Sequence, residues 1–145
     1  MATVEVTFTP LPAHVRTARL VATAVARRSG VDESLLDEVR LAVGEACSRA
    51  VEAHRKHCPR KPIRVALTDD AERFEVVVTD AAPPEAAAAE LAASPIAPAA
   101  DGVIHQLPPG VGLAVISGLA DDVRIVPAAD GTSVAMSWKR RTEPA

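Results

Sequence analysis

The sequence has no tyrosine, and its only aromatic rings are Phe8, Phe74 and Trp138, 2% of 145 residues. Single-stranded nucleic acid is gripped by successive aromatic faces, which three scattered rings do not provide. A positive excess is missing too: net charge is −3 and the pI is near 5.8, which argues against a phosphate-backbone binder. Two cysteines, Cys47 and Cys58, are too few for a disulfide framework. Apolar stretches fall well short of the ~20 residues of a membrane helix. Residues 1–10 lack a basic stretch followed by an apolar one, so no signal peptide is read. The expectation is a cytoplasmic protein that uses neither nucleic acid nor membrane. What is abundant is alanine, within a hydrophobic fraction of 48%, so the core must be built from Val, Leu, Ile and Ala. A chain of this length makes a single domain, 1–145, whose core needs no disulfide or metal staple.

Val4 to Phe8 alternates and stops at Pro10, the pattern of a first strand. Pro12 opens a helix and Gly30 closes it. Val15, Ala18, Ala22 and Val25 form the apolar stripe, with Arg16, Arg19, Arg27 and Arg28 on other, solvated faces. Asp32 is the expected N-cap of a second helix, running to about His54. Its two adjacent stripes, Leu35-Val39-Ala42-Ala46 and Leu36-Val43-Cys47-Ala50, predict broad burial, with Cys47 a small core hydrophobe. Pro59 and Pro62 interrupt the chain. Ile63–Thr68 and Arg73–Asp80 then read as an antiparallel hairpin turning at residues 69–72. Residues 81–109, rich in Ala and Pro, read as a mobile, lid-like loop with a short helix over 85–92. A third helix spans Leu113 to about Leu119, and strands Val123–Val126 and Thr132–Trp138 follow, joined by Ala129-Asp130-Gly131. The order β-α-α-β-β-loop-α-β-β implies an α/β two-layer sandwich. A mixed, mostly antiparallel five-stranded sheet carries about three helices on one face.

Four segments carry a resemblance. Leu41-Ala42-Val43-Gly44-Glu45-Ala46-Cys47-Ser48-Arg49-Ala50-Val51 resembles the N box of the GHKL (histidine-kinase-like) ATPase superfamily, most closely that of anti-sigma factor serine kinases. Val76-Val77-Val78-Thr79-Asp80 is similar to the strand ending in the adenine-binding aspartate. Gly110-Val111-Gly112-Leu113-Ala114-Val115-Ile116 resembles the second glycine box, and Gly131-Thr132-Ser133-Val134 the start of the last strand. Together they span essentially the whole chain. The resemblance implies a protein that holds a sigma factor and uses Mg-ATP to phosphorylate an anti-anti-sigma protein. It implies Glu45 as catalytic base, Asp80 as reader of the adenine amino group, and Gly110 and Gly112 with Leu113 at the phosphates. Thr132 is implied near the adenine, and a dimer is implied for the assembly. Arg19, with Arg16 beside it, falls on the first helix, which the family uses to bind proteins.

The match departs from the family at Arg49, where the family has a magnesium-ligating asparagine. Arginine offers donors and no acceptor. Ala82 and Pro84 replace two glycines after Asp80, narrowing the backbone freedom that lets the chain approach a base. ATP or ADP affinity is therefore expected to be weak and nearly independent of magnesium, with no metal held by the protein.

Two readings of Arg49 stand side by side. The spacing alone makes a surface ion pair with Glu45 at i,i+4; alternatively the guanidinium contacts phosphate in place of the metal. Asp80 read by itself is a turn residue, and Gly110-x-Gly112 a plain helix start. His54, His57 and Cys58 cluster without a fourth metal ligand. Functionally the expectation is an anti-sigma-type regulator acting by protein binding. An active serine/threonine kinase is the alternative, and a scaffold that pairs with a homologue a third reading.

Overall fold

The computed structural model describes residues 2–70, 72–83 and 111–140, with side chains left out for 111–114. The elements are β1 (Ala2–Phe8), α1 (Pro12–Arg28), a 3-10 turn (Glu33–Leu35), α2 (Leu36–His57), β2 (Ile63–Asp69), β3 (Arg73–Asp80), α3 (Val111–Leu119), β4 (Asp122–Ala128) and β5 (Gly131–Lys139). The five strands form one sheet in the order β1-β2-β3-β5-β4. The two-layer α/β architecture is as the sequence implies, except that every pairing is antiparallel rather than mixed. The helix proposed over 85–92 and most of the 81–109 loop lie outside the described residues.

Alternation sets the layers. Side chains two apart share a sheet face, so Phe74, Val76, Val78 and Asp80 of β3 point the same way, all four buried. Ile63, Val65 and Leu67 of β2 and Thr132, Val134, Met136 and Trp138 of β5 join them in register. The α2 stripes cover this face: Val39, Ala42, Val43, Ala46, Cys47 and Ala50 are all 0% exposed. Burial pushes the Cys47 thiol up to about 12, which makes it inert. Trp138 stacks near Phe74, with ring centroids 6.2 Å apart. Its indole Nε1–H donates to the Leu119 carbonyl at 3.0 Å, satisfying a helix-end acceptor and fixing the end of α3 on β5.

Local chemistry places the element ends. Asp32 caps as expected, accepting from Ser34 N–H at 2.9 Å, but what it caps is the 3-10 turn, and α2 begins only at Leu36. The helix also runs on to His57, past the expected end. Asp70 accepts the N–H groups of Glu72 and Arg73 at 2.8 and 2.7 Å. These two bonds close the β2–β3 turn and hold the Asp70 carboxyl below its usual range. Arg140 donates to Ser29 O at 2.6 Å and Asp70 O at 2.8 Å, joining the end of α1 to that turn.

Gly131 opens β5 with φ +153°, and a Cβ there would overlap the carbonyl oxygen of Asp80. Gly131→Ala should therefore cost about 2–4 kcal/mol, combining an unfavourable φ with a backbone collision. Chemical denaturation measures it; a loss under about 0.5 kcal/mol would mean that the β3–β5 contact gives way easily.

Candidate functional site

The centre of the candidate site is Asp80, the last residue of β3. Its inward parity carries the carboxylate under α2 instead of into solvent, and its side chain is 2% exposed. Arg49, on the flank of the α2 stripe, comes down to meet it: Nη1 lies 3.0 Å from Asp80 Oδ2, with the arginine side chain only 7% exposed. The second carboxylate oxygen, Oδ1, accepts from the N–H groups of Ala82 at 3.0 Å and Thr132 at 3.3 Å. Thr132 is the direct β5 partner of Asp80. Its Oγ1 is buried and has no hydrogen-bond partner among the described residues.

Taking two charges out of water is costly, and it is offset here by their attraction and by the backbone donors. The surface ion pair between Glu45 and Arg49 is therefore overturned. The helix turns Arg49 inward toward β3, and Glu45 has no ion pair among the described residues.

His54 is a second buried polar group, 0% exposed. Its Nδ1 lies 2.8 Å from the Lys61 carbonyl oxygen, and its Nε2 lies 2.8 Å from Ala81 N–H. A carbonyl only accepts and an amide N–H only donates, so Nδ1 carries the proton and the ring is neutral. Both nitrogens are occupied by backbone, which removes His54 from any metal set. No cluster of His, Cys, Asp and Glu suited to a metal occurs among the described residues. Sequence reasoning missed this role, because it depends on two loops that the sequence does not place. His54 thus fixes the residue after Asp80, while Asp80 fixes Ala82 two residues on. The strand end is held from both sides.

Glu45 belongs to a different feature. It is half-buried and lines a groove of about 320 Å³ between α1 and α2, with Pro12, Val15, Arg19, Leu41, Gly44 and Ser48 among the walls. Arg19 is not on a solvated face as expected. It is half-buried, and its stem crosses Gly44, where a Cβ would sit 2.7 Å from Arg19 Cδ. Arg16 is exposed. The structure therefore brings Arg49, Asp80 and Thr132 together, and separately joins Glu45 with Arg19. Gly112 and Leu113 fall in the first turn of α3, and Gly110 lies outside the described residues.

A family model described as the histidine kinase-like ATPase domain matches residues 8–138. The chain belongs to that family. Among solved structures, this histidine kinase-like ATPase domain is similar to the RsbU and RsbW domains of Rv1364c from Mycobacterium tuberculosis. The TM-score is 0.66 and the identity 21%, over 100% of this chain and 34% of that one. It is also similar to the mycobacterial sensor histidine kinase MprB, with a TM-score of 0.52 and 16% identity over 98% of this chain and 100% of that one. Identities this low show a shared fold. The chain spans about a third of the length of the first of these structures. No curated protein matches. No helix among the described residues is long and apolar enough to cross a membrane.

Proposed function

We propose that this histidine kinase-like ATPase domain is an anti-sigma-type regulator that works by binding proteins, with a nucleotide site that has lost its metal. The observation that carries the reading is the buried Arg49–Asp80 pair. In the family resemblance, Asp80 reads the adenine amino group and position 49 holds magnesium. Here a guanidinium donates to that carboxylate, as an adenine amine would, and Asp80 Oδ1 is already shared between two backbone N–H groups. Arg49 supplies no lone pair for a cation. These residues do not fit a magnesium nucleotide, and no phosphoryl transfer is derived from them.

Protein capture needs no metal. Its intended partners are a sigma factor or an anti-anti-sigma protein, and the similarity to the RsbW domain structure supports the partner-switching class. The candidate contact is α1, with Arg19 and Arg16, beside the groove that Glu45 lines. Arginine is enriched among the residues that carry most of an interface's binding energy.

Isothermal titration with ATP in magnesium and in EDTA tests the nucleotide half. The expected result is weak binding that is equal in both. Tight binding abolished by EDTA would give the function to an active serine/threonine kinase. For the protein half, Arg19→Ala should weaken the complex by about 1–2 kcal/mol, while Glu45→Ala leaves it intact. Because the Arg19 stem covers Gly44, this variant should also lose a little stability through packing. Binding lost with Glu45→Ala alone would count against the reading.

A further inference from the structure

Charge is unevenly placed on this chain. Between Ala53 and Thr68 there is no acid, and Arg55, Lys56, Arg60, Lys61 and Arg64 give the segment a formal charge of +5. The other eleven cations face all nineteen acids, a net charge of −8. All five cations of the segment are exposed, at the end of the sandwich where α2 stops and β2 starts. Acids gather at the opposite end of the sheet: Asp69, Asp70 and Glu72 at the β2–β3 turn, and Asp121 and Asp122 beside the last residues of β5. Six arginines elsewhere each have an acid at 3.9 Å or less. In the segment only Lys56 does, with Glu52 at 3.7 Å; Arg55, Arg60, Lys61 and Arg64 have no ion pair among the described residues. The helix dipole accounts for Arg55 and Lys56 in the last turn of α2. It does not account for Arg60, Lys61 and Arg64, which lie beyond the helix.

The loop also holds its shape. Pro59 and Pro62 restrict its backbone. Cys58 N–H donates to the His54 carbonyl at 2.8 Å and Lys61 N–H to the Cys58 carbonyl at 3.1 Å. The Lys61 carbonyl accepts from the buried His54 ring at 2.8 Å. A loop ordered in advance loses little entropy on binding. We infer that residues 55–64 dock an acidic segment of a partner protein, a short run of Asp and Glu laid across the end of the sandwich. Charges in physiological salt are screened over about 8 Å, so a short segment senses the loop alone. A long nucleic acid strand or an anionic bilayer would also meet the acid-rich remainder. The segment has no Phe, Tyr or Trp to stack on bases and no exposed Leu, Ile or Phe to enter a bilayer. Arg55 also lines the α1–α2 groove, so a protein seated there has the loop directly beside it. The inference rests on the protein-binding reading for the class of partner alone.

Fluorescence anisotropy of the full chain with a dye-labelled peptide of about ten residues, alternating glutamate and alanine, tests it. The peptide should bind with a Kd below about 100 µM in about 50 mM salt and weaken about tenfold or more in about 300 mM. Arg60→Glu with Lys61→Glu should weaken it about tenfold or more, and Arg60→Gln alone about threefold. Arg27→Glu with Arg28→Glu makes the same change in net charge at the far end of α1 and should alter binding less than about twofold. The loop variants replace exposed side chains and keep the Lys61 backbone bonds, so they should melt as the wild type does. No binding at low salt, or equal losses in the two double variants, would overturn the inference. So would tighter binding of a single strand of about ten thymidines or of phosphatidylglycerol vesicles. Capture of a sigma factor and its response to Arg19→Ala are read separately: that reading can fail while the peptide binds, and the peptide can fail while Arg19 matters.

Discussion

Replacing Arg49 with alanine is expected to destabilise the domain by about 3–5 kcal/mol, the cost of leaving a buried carboxylate without its counter-charge. Asp80 is 2% exposed at the side chain, and water entering the space left by the guanidinium would not supply its positive charge. The two backbone donors at Oδ1 remain, which keeps the cost at the lower end if the strand end relaxes. A melting-temperature drop of about 10 °C or more follows for a domain of this size. Removing both charges with isosteric apolar side chains should cost much less, since a buried pair contributes little net stability beyond a well-packed apolar replacement. If Arg49→Ala melted within a degree or two of wild type, the Arg49–Asp80 contact would be dispensable, and the nucleotide reading would lose its main support.

The sequence made the layers legible because each strand repeats its burial every second residue. β3 shows how far this goes: the alternation that buries Phe74, Val76 and Val78 also buries Asp80, so a charge facing the helices was implicit in the pattern. What the pattern could not supply was the partner. At i,i+4, Glu45 and Arg49 are one turn apart on any helix, and that spacing holds whichever way the helix is turned over the sheet. Rotation of α2 is decided by its two alanine-rich stripes, and Arg49 sits at their flank, next to Ala46 and Ala50, which are 0% exposed. An arginine at such a boundary, with an inward acid on the strand below, was the available signal. His54 was harder. A histidine near a cysteine and another histidine, short of a fourth metal ligand, gave no sign of what the ring does, which is to donate to the Lys61 carbonyl and accept from Ala81 N–H. Both come from loops whose course no periodicity describes. The starts of α1 and of β5 were legible for the opposite reason, since Pro12 at a helix's first turn and glycine in the Ala129-Asp130-Gly131 turn are local backbone signals.

The most informative substitution is Arg49→Asn, which restores the residue type found at this position in the family that the sequence resembles. It acts in two ways at once. The guanidinium no longer donates to Asp80 Oδ2, freeing a carboxylate lone pair that faces α2. The amide oxygen supplies an acceptor where arginine has none, and an acceptor is what a hard divalent cation requires. Nucleotide affinity should therefore rise about tenfold or more over wild type, and the gain should vanish in EDTA. Adding Ala82→Gly, which frees the backbone two residues after Asp80 while keeping its N–H on Oδ1, should raise the affinity further. The variants must be compared at a temperature where each is folded, because Arg49→Asn also removes the counter-charge and should melt below wild type. Stability and affinity then move in opposite directions. A variant that is folded, less stable and no better at binding ATP in magnesium would overturn the reading that Arg49 blocks a magnesium nucleotide. A variant that gains binding equally with and without magnesium would separate the two effects, assigning the block to occupancy of Asp80 and not to the missing metal ligand.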